Sequence, residues 1–331
     1  MKLASLKSAR DGDLIIVSED LTRAKAVPEI APTMQTALDN WNTLSPALEA
    51  VYQRINNHSE KETFTFDPVL CAAPLPRAHQ WLDGSAYLHH VELVRKARGA
   101  QMPPEFLTDP LMYQGISDQL LGPRDPAYFD TEEWGIDFEA EVVVMTDDVP
   151  MGVTPDHAGE HIKLLTLVND VSLRNLIPQE LGKGFGFLQS KPPSAYAPVA
   201  ITPDELGHHW QDYKIHLPLH VHYNEEQYGA PNCGQDMNFN FAQLIAHAAK
   251  SRPLGAGTML GSGTISNRDE HSGSCCLAEK RMLEIIASGK AETPFMKFGD
   301  RVRIEMFNEH NNSIFGAIDH QMCQRKQHET V

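Results

Sequence analysis

The chain has little cysteine, no long apolar run and a deficit of positive charge. Five cysteines, Cys71, Cys233, Cys275, Cys276 and Cys323, are scattered through 331 residues without a C-x-x-C pair. An odd, unpatterned set suggests neither a disulfide framework nor a zinc ribbon, so a reduced, cytoplasmic setting is the expectation. The adjacent Cys275–Cys276 pair could be read as redox-active, but free cysteines more often act as small buried hydrophobes. No segment reaches the length of a membrane span. Asp11 and Asp13 interrupt the place where a signal peptide would need its apolar stretch. The net charge of −16 disfavours nucleic acid and anionic membranes as partners. It also means that a site for an anion must supply its own Arg or Lys. No G-x-G-x-x-G opens a helix after a strand, and GKGFGF lacks that spacing, so no nucleotide site is read.

What is present is a foldable chain, 41% hydrophobic and 22% charged, long enough for one large domain and a small one. LASLKSA and DLIIVSED read as a hairpin turning at Asp11-Gly12. A helix is expected from about Thr33. A second is expected to open at Ser45-Pro46 and to carry Leu48, Val51, Tyr52 and Ile55. A boundary falls near Pro68. Beyond it FEAEVVVMT, HIKLLTLVND, IHLPLHVHYN, RVRIEMFN and SIFGAIDH read as strands. GSAYLHHVELVRKAR, MNFNFAQLIAHAAKS and CLAEKRMLEIIASGK read as helices, with Gly99 and Gly289 at two C-terminal ends. Strands outnumber helices and do not alternate with them, which points to a β-rich α+β fold.

Glu139 and Glu141 stand two apart in an apolar strand pattern and so share a face. Two such carboxylates repel and are costly to desolvate, and a cation between them relieves both costs. A solvated strand face is the alternative. Asp170 ends the apolar run LLTLVND, where it could enter a site or cap a helix. Asp83 could equally be a helix cap. His90 follows seven residues later, about 10 Å along a helix. One ion could not bind both, but a substrate on that ion could meet His90. All-oxygen ligands suit Mg²⁺, Ca²⁺ or Mn²⁺. His220 and His222, on one strand face, are a rival zinc pair without an evident third partner. His208-His209 reads as a polar loop pair.

Together, D-G-S-A-Y-L-H-H at 83–90, E-A-E at 139–141, V-N-D-V-S-L-R-N at 168–175, G-K-G-F-G at 182–186, G-S-G-T-I-S at 261–266 and C-L-A-E ending at Glu279 resemble the fumarylacetoacetate hydrolase family. The likeness runs from about Leu75 to residue 320. It implies a mixed β-roll catalytic domain, residues 71–331, preceded by a small N-terminal domain, residues 1–70. It implies Asp83, Glu139, Glu141 and Asp170 as ligands of Mg²⁺, Ca²⁺ or Mn²⁺, His90 as the base and Glu279 as its orienting carboxylate. Lys183 matches the family's lysine near the metal, and Tyr113, Arg174 and Thr264 match substrate-side positions. Two positions depart from the pattern. The family's arginine nine residues after the histidine is Gly99 here, with Arg98 beside it. The glutamine seven residues after the last ligand is Ile177, with Gln179 or Gln189 as substitutes. The implied reaction is metal-dependent cleavage of a carbon–carbon bond in a β-diketone acid, with 4-fumarylacetoacetate and water giving fumarate and acetoacetate. A decarboxylase, hydratase, isomerase or acylpyruvate hydrolase acting on a keto acid is the alternative, and a non-enzymatic small-acid or metal-binding protein is the third. A small anionic keto-acid substrate and a homodimer are the implied partners.

Overall fold

The structure, a computed structural model, describes residues 1–97 and 101–326. It is a mixed α+β fold dominated by two sheets. The large sheet runs, by residue number, 64–65, 23–26, 13–17, 2–6, 200–201, 162–169, 140–146, 258–261, 80–84 and 112–115, with 195–196 pairing off this path against 162–169. The second has five strands, in the order Glu226–Gly229, Leu219–Tyr223, Arg301–Met306, Ile318–Gln324 and Ala127–Phe129.

The expected N-terminal hairpin forms: Lys2–Leu6 pairs antiparallel with Asp13–Val17, and Gly12 takes the positive φ of +68° that the turn needs. Thr33 caps Met34–Asp39. The next helix differs from expectation. It runs Trp41–Asn56 with Pro46 inside rather than at its start. Half-buried Trp41 and Leu44 pack against the core below, which draws the preceding turn into the helix despite the backbone donor that proline lacks. Cys276 caps Leu277–Ser288, which ends at Gly289 with φ +84°. The Leu88–Ala97 helix is present, while Gly99 lies outside the described residues. No helix among the described residues is long and apolar enough to cross a membrane.

The two faces of the large sheet sort the chain by period two. Val142, Val144, Leu165 and Leu167 join a core shared with Val221, Ile304 and Met306 of the second sheet. Trp81, Val143, Met145, Met259 and Val168 lie in a second core, under Met34, Leu38, Leu48, Val51 and Ile55 of the N-terminal helices. Asp83, Glu141, Gly261 and Asp170 each stand two residues from a member of that second set. The acidic positions therefore fall on the face that the N-terminal helices cover, at one end of it.

Candidate active site and metal centre

Strand register brings the acidic positions together. Asp83 is level with Gly261 on its parallel neighbour and with Tyr113 on its antiparallel one. Gly261 is level with Val143, and Glu141 with Val168. Asp170 follows the last paired residue, Asn169, and its N–H donates to the Glu139 carbonyl at 2.9 Å. Glu139 itself precedes the strand and is held by its own N–H to Asn169 Oδ1 at 3.0 Å. All four carboxylates are buried. Asp83 is a strand residue and not a helix cap.

Asp83, Glu141 and Asp170 each offer an oxygen within 4.8 Å of the other two. Both Glu141 oxygens are buried and lack a hydrogen-bond donor. Such a group is expensive to keep ionised and unpaired. Burial, then the Asp83 and Asp170 charges, push the Glu141 carboxyl well above its usual range. Burial and Asp170 push Asp83 up to about 8, with Lys191 opposing. Gly261 keeps the space open. A Cβ there would sit 2.5 Å from Asp83 Oδ1, 3.0 Å from Glu141 Oε2 and 2.4 Å from the Trp81 ring. A hard divalent cation fits this donor set, since it would supply the positive partner that the Glu141 oxygens lack.

Glu139 is differently placed. Arg174 Nη2 donates to its Oε1 at 2.7 Å, Lys191 Nζ to its Oε2 at 2.6 Å and Ser172 Oγ to Oε2 at 3.2 Å. Burial alone would raise this carboxyl, but Arg174 and Lys191 outweigh it and hold Glu139 well below its ordinary value. Arg174 Nε also donates to buried Asp137 at 2.9 Å. Asp137 in turn accepts from the Leu277 and Ala278 N–H groups at 2.7 and 2.9 Å. The start of the Leu277–Ser288 helix is thereby tied to the carboxylate cluster.

That helix carries Glu279, whose Oε2 lies 2.9 Å from His90 Nδ1. His90 and Thr264 line a cavity of about 390 Å³ together with Asp83, Tyr113, Glu139, Arg174 and Lys191. The Tyr113 hydroxyl donates to Asp170 Oδ2, and Ser194 Oγ donates to Asp170 Oδ1 at 2.6 Å. Gly263 N–H donates to Asp83 Oδ1 at 3.1 Å. Gly263 has φ +74°, and a Cβ there would meet the Gly84 carbonyl at 2.4 Å, so the G-S-G-T loop closes on the Asp83 strand only with glycine.

Three expected residues are not brought in. Lys183 is exposed at the end of the short helix Ile177–Lys183, and the lysine in the cluster is Lys191, which bonds Glu139 and Asp170 at 2.6 Å each. Gln179 is exposed on the same helix, while Ile177 and Leu181 face the cavity. Gln189 is exposed too, its N–H spent on Glu180. Arg98 lies outside the described residues. Lys191 and Ser194 were missed because S-K-P-P-S matches no helix or strand period. The one cue was Pro192-Pro193, which biases Lys191 toward an extended backbone.

The rival sites recede. Cys275 and Cys276 are buried free thiols, pushed well up by burial. His220 packs edge-on against Phe307. Among the described residues the other group with metal-like spacing is His208, His209 and Glu309, on the surface.

Residues 80–322 match the model of the fumarylacetoacetate (FAA) hydrolase C-terminal family, and residues 1–77 match fumarylacetoacetase N-terminal domain 2. The chain belongs to the fumarylacetoacetate hydrolase family. Among solved structures it is similar to a fumarylacetoacetate hydrolase from psychrophilic Exiguobacterium antarcticum, at 14% identity and a TM-score of 0.66, covering 98% of this chain and 100% of that one. A maleylpyruvate hydrolase from a Sphingobium species, solved with manganese(II) and pyruvate, matches at 15% and 0.65, covering 98% and 100%. A 5-carboxymethyl-2-hydroxymuconate delta-isomerase from Mycobacterium smegmatis matches at 13% and 0.61, covering 99% and 100%. No curated protein sequence matches the chain.

Proposed function

We propose that the chain hydrolyses a carbon–carbon bond in a β-diketone acid, with 4-fumarylacetoacetate as the first candidate substrate. The observation that carries this reading is the His90–Glu279 pair, 2.9 Å apart, on the same cavity as three convergent carboxylates. Asp83, Glu141 and Asp170 would hold Mg²⁺, Ca²⁺ or Mn²⁺. Glu139 is the proposed fourth ligand, since its Oε1 accepts from Arg174 alone and keeps a second lone pair. When bound, the ion would supply Lewis-acid polarisation of the diketone and counter-charge for the leaving group.

With Glu279 as the acceptor at Nδ1, the His90 tautomer that can act as base carries its proton there and its lone pair on Nε2. Nε2 takes a proton from water, and the hydroxide forms a bond to the ketone carbon. The Cα–carbonyl bond then breaks, its electron pair leaving as an enolate, which takes the proton back from His90. The products are two carboxylic acids, fumarate and acetoacetate for the candidate substrate. Lys191 spends two of its three N–H groups on Glu139 and Asp170, leaving one for the developing oxyanion. Lys191 thus takes the role first expected of Lys183.

The test is turnover of fumarylacetoacetate and acylpyruvates with Mg²⁺, Ca²⁺ or Mn²⁺, followed by product analysis. Cleavage products that vanish with chelator and with His90→Ala support the reading. Near-normal turnover by His90→Ala removes His90 as the base. Isomerised or decarboxylated products in place of cleavage overturn the reaction.

A further inference from the structure

The acidic chain has to supply local positive charge if its substrate is an anion. Three permanent cations line the cavity among the described residues: Arg174, Lys191 and Arg281. Arg174 is balanced by Asp137 and Glu139, and Lys191 by Glu139 and Asp170. Arg281 has no carboxylate within ion-pair distance among the described residues. Its guanidinium lies over the Phe295 ring, 4.1 Å from the centroid, and donates through Nη1 to the Thr293 carbonyl. A guanidinium has five N–H donors, so these contacts orient the group and leave donors over.

Its position is set by the helix. Ala278, Arg281, Met282 and Ile285 follow the spacing of one helical stripe, and all four line the cavity. Glu279, two residues from Arg281, points to His90 instead. The cavity therefore has an acidic inner end at Asp83 and Glu139, apolar walls including Val94, Ile177 and Met282, and one uncompensated cation.

Resting on the reading above, we propose that Arg281 holds a second carboxylate of the substrate. A keto acid with an acid group at each end, as in 4-fumarylacetoacetate, is the substrate that such an anchor fits. Arg281 is a specificity residue of the same site, one that the sequence reading did not single out. It supplies the local positive charge that an acidic chain needs for an anionic substrate.

The experiment compares two non-cleavable ligands of one chain length, 2-oxoadipate and 2-oxohexanoate, which differ by the distal carboxylate. Their binding is measured by calorimetry on the full chain with Mn²⁺. The expected result is at least about tenfold tighter binding of 2-oxoadipate, in keeping with a charge-assisted pair. Arg281→Met should bring the ratio below about threefold, and Arg281→Lys should keep part of it. Arg281→Gln, which retains a donor for the Thr293 carbonyl, separates loss of charge from loss of fold and should resemble Arg281→Met. A ratio near one in the wild type, or an unchanged ratio in Arg281→Met and Arg281→Gln, overturns the assignment. Because binding is read without turnover, failure of the cleavage reaction and failure of the anchor remain distinguishable.

Discussion

Replacing Lys191 by Met tests the electrostatic design of the site. The ammonium is buried and bonds Glu139 and Asp170 at 2.6 Å each. Burial alone would lower the Lys191 pKa, but Asp170 and Glu139 raise it, so it stays charged. Removing one partner of such a buried cluster leaves uncompensated charge and costs about 3–5 kcal/mol. The expected loss at pH 7 in chelator is of that size, measured by urea unfolding. The pH dependence follows from Glu139, whose folded pKa is held below its ordinary value. Such a group contributes stability above its unfolded pKa and loses it as pH falls through the folded one. Lys191→Met removes much of that contribution. The deficit should be largest near neutrality and narrow below about pH 4. A deficit under about 1 kcal/mol at pH 7, or one unchanged by acid, would refute the reasoning.

Three further outcomes are expected. Gly261→Ala puts a methyl 2.5 Å from Asp83 Oδ1 and should weaken Mn²⁺ affinity in calorimetry at least about tenfold, at an overpacking cost of about 1–3 kcal/mol; unchanged affinity would remove Gly261 from the site's design. Saturating divalent cation, at about 100 times Kd, should raise unfolding free energy by about 2.7 kcal/mol, and Asp170→Ala should abolish most of that gain. Glu279→Gln should lower kcat by about 10²-fold or more while leaving cation affinity within about threefold, because its carboxylate contacts His90; a parallel loss of both would mark it as structural.

Much of the fold was legible because its strands obey simple periods. The Glu139–Glu141 spacing flagged an acidic strand start, although Glu139 lies just before the strand, and the register then brought Asp83 and Asp170 to Glu141 from segments far apart in sequence. What local reading missed was long-range or aperiodic. Pro46 looked like a helix start because proline suits that position, yet Trp41 and Leu44 gain enough from the core to begin the helix earlier. Lys183 looked right because G-K-G-F-G is a recognisable string, whereas Lys191 enters through an extended Pro-Pro segment that no period marks. Glu279 was legible by motif, but only the fold reveals that Asp137 fixes its helix.

Lys191 and Arg174 also thin the negative charge of the site. Fully ionised, Asp83, Glu139, Glu141 and Asp170 bring four negative charges, and these two side chains return part of it, Arg174 dividing its charge between Glu139 and Asp137. A cation entering the site therefore faces less than the charge that four carboxylates alone would present. An incoming acid meets a correspondingly weaker repulsion.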